Sequence, residues 1–162
     1  MNMTTLYLVR HGETVDNAAQ ILQGQQQGEL NETGIKQAEA TRDKLKDEQI
    51  DAFVSSDLKR SVDTCRIIAA PHHKDVETTP LLRDWGDFTG RFIPDLHDVA
   101  WPDNVESLEQ MKRRAQDFLT YVKTSFPDQT VLAVGHGIIN KAIQSVYYKK
   151  PMSEIHKMDN GE

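Results

Sequence analysis

Cysteine is nearly missing from this sequence, since Cys65 is the only one in 162 residues and no disulfide can form within the chain. That composition suits the reducing cytoplasm, so we expect a cytoplasmic protein. No apolar run approaches the ~18 residues that a membrane-spanning helix needs. The first residues also lack the basic and apolar segments of a secretory signal, so we expect none. These absences argue against a disulfide-stapled secreted domain and against a transmembrane protein.

Excess positive charge is missing as well, because the formal net charge is −6. Nucleic acids and anionic membranes attract basic proteins, so we expect neither as the main partner. A small anionic substrate is still compatible, because charges within a Debye length of about 8 Å dominate a local site. The length is typical of one domain, and we expect a single domain over residues 1–162.

Short apolar strands alternate with amphipathic helices along the chain. The pattern predicts strands near residues 5–9, 52–54, 76–79 and 130–134, and helices near residues 31–48, 57–70, 105–125 and 138–147. This alternation is typical of a parallel sheet covered by helices, so we expect an α/β fold: a three-layer αβα sandwich with a mostly parallel central sheet. Thr5 to Val9 are apolar toward both faces, which predicts a central strand.

Two helices carry more specific predictions. The apolar spacing of the first helix turns Ile35, Ala38 and Leu45 toward the core. Ser56 stands between a strand and the second helix, and it is a good candidate for the N-cap of that helix. Cys65 lies on the apolar stripe of the second helix, which predicts a small core residue and not a reactive thiol.

Two long segments show no regular period. Residues 14–34 are polar and rich in Gln and Gly, and long connections of this kind are often functional. Residues 81–104 contain glycines, prolines and four large aromatic side chains, which predicts a loop-rich cover over a site. The aromatic side chains either pack this cover down or line a pocket for an apolar substrate group, and packing is the more usual role.

Two predicted strands end in the same kind of residues. The strand from Leu6 stops at Arg10-His11-Gly12, and the last strand stops at a second histidine between glycines, His136. The carboxyl ends of parallel strands share one edge of a sheet, so the two imidazoles can converge there. Arg60, one turn into a helix that follows another strand, can reach the same edge. Forked guanidinium donors beside imidazoles are suited to a phosphate group.

These motifs resemble those of a known family. Residues 8–14 are similar to the signature of the histidine phosphatase superfamily, in its phosphoglycerate mutase-like branch. Residues 55–61 resemble the family's Ser-Asp-Leu-x-Arg-Ala segment, and residues 134–137 resemble its second histidine motif. The likeness extends in the same order from about residue 6 to 144. It implies a phosphoglycerate mutase-like fold.

The resemblance also implies roles for individual residues. His11 would be the nucleophile that forms a phosphohistidine, and Arg10 and Arg60 would clamp the phosphoryl oxygens. His136 would donate to the same oxygens and stabilise the charge of the transition state. Secondary contacts with phosphate or substrate are implied for Asn17, Gln23, Gly24 and Gly137. Such a site would need no metal or other cofactor, because arginine and histidine neutralise the phosphate.

One expected group is missing from the matched segments. The family usually carries a general-acid Glu in a segment shaped Leu-x-Glu-Arg-x-Trp/Tyr-Gly, and Leu82 takes its position here. Leucine cannot protonate a leaving alkoxide, and general-acid help is worth ~10²–10⁴-fold in rate. Three alternatives stay open: Asp84 or Asp87 reaches the site, Glu106 lies at its mouth, or the substrate has a good leaving group.

The function implied is that of a phosphatase acting on a small phosphorylated substrate through a phosphohistidine on His11. A mutase is less expected, because residues 81–104 leave little room for the larger cover that shields intermediates from water. Two alternatives are a phosphatase of protein phosphohistidine, and a phosphate-ligand binding or regulatory protein whose catalysis Leu82 has weakened.

The C-terminal residues depart from the family in a second way. Related chains usually continue past an Asn-Gly turn into a further strand, whereas this sequence stops at residues 159–162. Either the edge strand is missing or the sequence is shortened. An exposed sheet edge would be a candidate for pairing two copies of the chain as a homodimer.

Overall fold

A computed structural model describes residues 4–15, 28–83, 108–151 and 154–155 of the chain. Within them one sheet is built from the strands β1 (Thr5–Arg10), β2 (Ala52–Ser56), β3 (Val76–Thr79) and β4 (Thr130–Gly135). The helices around it are α1 (Glu32–Leu45), α2 (Lys59–Ala69), α3 (Leu108–Ser125) and α4 (Gly137–Tyr148). Two short 3₁₀ helices follow α2 and β3, at Ala70–His72 and Pro80–Leu82. The predicted α/β class is confirmed.

The strand order is β1-β4-β2-β3, and every neighbouring pair is parallel. Among the described strands β1 pairs with β4 alone, so it lies at the edge of this sheet and not at the predicted centre. Its apolar run has another explanation: Leu6 and Leu8 pack on one face, while Tyr7 and Val9 pack on the other. Helices cover both faces even at the edge, and an apolar run alone does not distinguish the two positions.

The sheet separates two apolar clusters. Successive side chains of β4 point to opposite faces, so Val131 and Ala133 join one cluster while Leu132 and Val134 join the other. The first cluster contains the apolar faces of α3 and α4: Met111, Ala115, Phe118, Val122, Ile139, Ala142 and Ile143. The second contains the inner face of α2: Cys65, Ile68 and Ala69. Helices thus lie on both sides of the sheet.

Two local predictions need correction. Ile35 was expected inside but is 42% exposed, because α1 buries Gly34 and Ala38 instead. The helix predicted from Asp57 begins at Lys59, with Leu58 as its N-cap residue and no side-chain cap. The Ser56 hydroxyl only accepts a long hydrogen bond from the Leu58 N–H, at 3.3 Å.

Candidate active site

The two histidine motifs lie side by side because β1 and β4 are neighbours. Arg10 pairs with Gly135 in the register of the two strands, and the His11 N–H donates to the Gly135 carbonyl at 3.1 Å. The next residue of each strand end is a histidine. The two imidazole rings lie edge to face, with centroids 5.0 Å apart and planes at 62°. Both rings are buried, with His11 3% exposed and His136 fully enclosed.

A backbone carbonyl holds the His11 ring. Nδ1 of His11 lies 2.7 Å from the Gly12 carbonyl oxygen. Since a carbonyl can only accept, Nδ1 must carry the hydrogen and donate it. In the neutral ring the lone pair is then on Nε2, the nitrogen that can attack an electrophile.

Gly12, whose carbonyl holds the His11 ring, is itself anchored to α2 through its N–H. The Gly12 N–H donates to Thr64 Oγ1 at 3.0 Å, and the same hydroxyl donates to the Arg60 carbonyl at 2.8 Å. Thr64 is fully buried. This chain of hydrogen bonds joins the group that orients His11 to the helical turn that carries Arg60.

The turn after His11 packs directly against the backbone at the start of α1. A Cβ at Gly12 would lie 2.4 Å from the Gly34 carbonyl oxygen, and one at Gly34 would lie 2.0 Å from the Glu13 carbonyl oxygen. Both positions therefore need glycine. Asn31 caps α1 by accepting from the Gly34 N–H at 2.8 Å, and its amide donates to Glu13 Oε1 at 3.0 Å. This contact holds the turn in place.

Side-chain hydroxyls, not a carbonyl, contact the His136 ring. Its Nε2 lies 2.9 Å from Ser56 Oγ and 3.2 Å from Ser61 Oγ. Its Nδ1 is buried and makes no hydrogen bond with any residue that the structure describes. Gly137, the next residue, begins α4, so the positive N-terminal end of that helix is beside the ring. This edge of His136 is suited to an anion.

Both imidazoles are held neutral. Burial, followed by the positive charge of Arg60, lowers the pKa of His11 from 6.5 to about 3, and Arg10 adds to the effect. Burial and then Arg60 also lower the pKa of His136 well below its usual value. Every charged contributor to these two shifts is a cation or the other imidazole. The described part of the site is therefore electropositive, although the chain has a net charge of −6.

One further cation near the site was missed in the sequence. Arg114 on α3 donates through Nη1 to the Leu81 carbonyl at 3.0 Å and to the Arg83 carbonyl. Its charge also contributes to the lowered pKa of His136. A single arginine in an amphipathic helix carries no signal of such a position, because most of them are solvated.

Leu82 and Arg83, the described residues around the position of the usual general acid, are engaged elsewhere. Leu82 is fully buried in the cluster that contains Met111 and Ala115. The next residue, Arg83, forms a forked ion pair with Asp57, with both N–O distances 2.7 Å. That hydrogen bond lowers the pKa of Asp57, which keeps this carboxylate ionised. Neither position supplies a proton to a leaving group.

Several of the predicted site residues lie outside the described residues. They are the proton-donor candidates Asp84, Asp87 and Glu106 and the proposed phosphate contacts Asn17, Gln23 and Gly24. Their roles stay predictions.

A small polar side chain on α4, that of Asn140, is a second residue near the site that the sequence does not reveal. Asn140, fully buried one turn into α4, donates through Nδ2 to the Val9 carbonyl at 3.0 Å. It thus joins the helix after His136 to the strand before His11. The available signal was a polar residue on a helix face that is otherwise apolar, and this signal indicates burial without indicating a partner.

Three other features bear on the chemistry. Cys65 is buried and burial raises the pKa of its thiol to about 12, in agreement with a core role. Across the described ranges no three His, Cys, Asp or Glu side chains are grouped as a metal site. None of the helices in that part of the chain is both long and apolar enough to cross a membrane.

Residues 6–162 match the family model of the histidine phosphatase superfamily, branch 1. The chain belongs to this superfamily. It is 34% identical over 160 residues to a metal-independent phosphoserine phosphatase of Arabidopsis thaliana, covering 87% of this chain and 67% of that one. It is 36% identical over 152 residues to a "Probable phosphoglycerate mutase" of Proteus mirabilis, covering 84% and 71%. Relatives therefore include proteins named for phosphate hydrolysis and for phosphate transfer.

A solved structure supports the fold assignment. A mycobacterial glucosyl-3-phosphoglycerate phosphatase in complex with VO3 superposes with a TM-score of 0.86 at 28% identity, covering 96% of this chain and 89% of that one. The predicted phosphoglycerate mutase-like fold is confirmed.

Proposed function

We propose that this protein is a metal-independent phosphatase that hydrolyses phosphomonoesters through a phosphohistidine on His11. The observation that carries the proposal is the hydrogen bond from His11 Nδ1 to the Gly12 carbonyl, in a ring 5.0 Å from that of His136. It leaves Nε2 as the nucleophilic nitrogen at the electropositive edge of the sheet.

The reaction has two steps. The lone pair of His11 Nε2 forms a bond to phosphorus, while the ester P–O bond breaks and the leaving oxygen takes up a proton from solvent or from a proton donor at the site. Water then attacks the phosphorus and releases a proton to solvent, the P–N bond breaks, and its electron pair returns to Nε2 as inorganic phosphate departs. Arg10 and Arg60 bind the phosphoryl oxygens in both steps, and His136 donates to them from Nδ1.

The lowered pKa of His11 supports this role. A protonated imidazole has no lone pair, so a ring with a pKa near 6.5 would lose nucleophile in mildly acidic solution. Burial beside Arg60 lowers the pKa of His11 to about 3. The ring is therefore ready to react at neutral pH without a base to deprotonate it.

The buried position of Leu82 favours substrates with good leaving groups. Without a general acid an alkoxide leaves slowly, whereas a phenolate or an imidazole leaves more readily. A phosphatase of protein phosphohistidine is therefore our second candidate function. If alkyl esters are also hydrolysed, the candidates for the proton donor are Asp84, Asp87 and Glu106.

Hydrolysis is favoured over mutase chemistry by the short segment of residues 81–104. A mutase returns the phosphoryl group to its substrate and must shield the phosphohistidine from water in the meantime. The length of this segment leaves little room for such a cover.

Turnover of three phosphate classes tests the proposal. The purified protein is given an aryl phosphate, the alkyl phosphate phosphoserine and a phosphohistidine peptide, each without added metal and with His11→Ala as the control. Turnover of all three indicates that a proton donor is present, and turnover of the aryl and phosphohistidine substrates alone indicates a site without one. Vanadate binding without turnover of any substrate would overturn the enzymatic proposal in favour of a phosphate-binding protein.

A further inference from the structure

Two serines contact the same nitrogen of His136. Ser56 Oγ is 2.9 Å from Nε2 and Ser61 Oγ is 3.2 Å from it, and both serines are buried. Ser56 comes from the end of β2, whereas Ser61 comes from the first turns of α2.

The two hydroxyls decide which nitrogen of His136 carries the hydrogen. Ser56 Oγ also accepts from the Leu58 N–H, and the only hydrogen-bond partner of Ser61 Oγ among the described residues is His136. If Nε2 carried the hydrogen, both serine hydrogens would be buried without an acceptor in this part of the chain. An unsatisfied buried donor is costly, so Nε2 is the acceptor and the hydrogen lies on Nδ1.

We propose that Ser61 is a positioning residue that acts together with Ser56 to keep the hydrogen of His136 on Nδ1. Nδ1 is the buried nitrogen that makes no hydrogen bond with the described residues. It is also the atom that donates to the phosphoryl oxygens in the function proposed above, and the inference rests on that function.

The position of Ser61 adds a second effect. It directly follows Arg60, so the hydroxyl on the imidazole and the forked donors of the phosphate clamp belong to one helical turn. A shift of this turn moves both groups together. Ser61 therefore sets the orientation of His136 relative to Arg60, in a way that Ser56 on the strand does not.

Ser56 and Ser61 are partly redundant, because both hydroxyls donate to the single lone pair of His136 Nε2. Loss of one neutral hydrogen bond is worth ~2–10-fold in rate. We expect Ser61→Ala and Ser56→Ala each to lower kcat for an aryl phosphate within this range. In the double variant kcat should fall by more than the two single losses multiplied together. The reason is that Nε2 then has no hydrogen-bond donor, so the hydrogen can move onto it.

Heteronuclear NMR of the imidazole nitrogens measures the tautomer without relying on activity. Nε2 of His136 should resonate as an unprotonated, hydrogen-bonded nitrogen in the native protein and shift in Ser61→Ala. In the double variant a fraction of the signal should move to the tautomer protonated at Nε2. Ser55→Ala is the matched control, because this buried serine donates to the Ser56 carbonyl and no hydrogen bond joins it to His136 in the described structure.

The outcomes separate the inference from the proposed function. An Nε2 signal unchanged by Ser61→Ala, or a native ring protonated at Nε2, overturns the inference whatever the activity is. Absence of turnover in the native protein overturns the proposed function, and the tautomer measurement still decides the role of Ser61. Ser61→Ala removes one hydroxyl and keeps a good helix former in α2, so the single variant should fold even if the double variant does not.

Discussion

The ends of β1 and β4 present the same residue type in the same setting and hold it by opposite nitrogens. His11 is bound at Nδ1 by a backbone carbonyl, whereas His136 is bound at Nε2 by two serine hydroxyls. A carbonyl only accepts and therefore dictates one tautomer, but a hydroxyl can either accept or donate. The ring proposed to form a covalent bond thus depends on the main chain, and the ring proposed only to donate depends on replaceable side chains.

Burial does not explain this difference. Both rings are enclosed, both lie near Arg60, and both have a lowered pKa. The comparison shows that two buried histidines near the same arginine are held by opposite nitrogens, through different kinds of hydrogen-bond partner. Substitutions at the two rings should therefore have unequal effects.

The largest effect is expected for His11→Asn. The asparagine amide can still donate to the Gly12 carbonyl, but it has no ring nitrogen to attack phosphorus. Turnover of an aryl phosphate should fall at least about 10⁴-fold, the scale on which removing a nucleophile acts. Steady-state kinetics measure the loss, and retained vanadate binding is the control for an intact site. A residual rate within tenfold of the native one would remove His11 from the covalent step.

A smaller loss is expected for His136→Gln. Its side-chain carbonyl can replace Nε2 as the acceptor of the serine hydroxyls, but Nδ1 is lost. Removing one preorganised donor costs ~10²–10³-fold in kcat. Rapid acid-free quenching with a labelled aryl phosphate should still trap phosphate on His11. If this variant is as inactive as His11→Asn and traps no phosphate, the distinction between the rings fails.

Protein stability should fall on mild acidification. Both histidines have a folded-state pKa below 6.5, so below that pH the unfolded chain binds protons that the folded chain does not. The free energy of unfolding should therefore decrease between pH 6.5 and about pH 3 for His11. The slope is at most about 1.4 kcal/mol per pH unit for each ring.

Urea unfolding at pH 7 and pH 5 measures this dependence. The decrease in the native protein should be larger than in His136→Gln, because that variant has one buried imidazole fewer. Equal decreases in the two proteins would mean that the His136 ring is not held neutral.

The smallest effect is expected at the contact that joins the two strand ends. Asn140→Ala removes the side-chain donor to the buried Val9 carbonyl, which should lower the free energy of unfolding by about 1–3 kcal/mol. Gln144→Ala is the matched control, because the only side-chain hydrogen bond of this residue within the described part of the chain is a long one to the Asn140 carbonyl, at 3.4 Å. Urea midpoints compare the two variants, and equal stability would show that Asn140 does not link the motifs.

Some of this site could be predicted because topology alone brings its residues together. His11, His136 and Arg60 each follow the carboxyl end of a strand or the helix after it, and parallel strands place those ends at one edge. The alternation of strand and helix periodicities along the chain likewise predicted the α/β class. They did not predict the strand order, since the apolar run of β1 reflects burial on both faces, and among the described strands β1 pairs with β4 alone.

Other residues were misjudged or missed because their contacts depend on distant partners. The sequence predicts Ser56 as an N-cap from its neighbours in the chain, but the nearest hydrogen-bond partner of its hydroxyl is His136, 80 residues away. Ser61 lies 75 residues from the same ring, and Asn140 lies 131 residues from Val9. Local patterns carry information on burial and capping, and they carry none on which distant atom a small polar side chain meets.

The amino-acid sequence by itself determined the alternation of strands and helices, the family, and the set of cations and imidazoles that gather at one sheet edge. Only the tertiary structure showed which nitrogen of each imidazole is held, and the proposed roles of the two rings rest on that difference. The physical reason is that hydrophobic periodicity sets which faces are buried, whereas the hydrogen bonds at each ring depend on the local turn at Gly12 and on serines that lie 80 and 75 residues from His136.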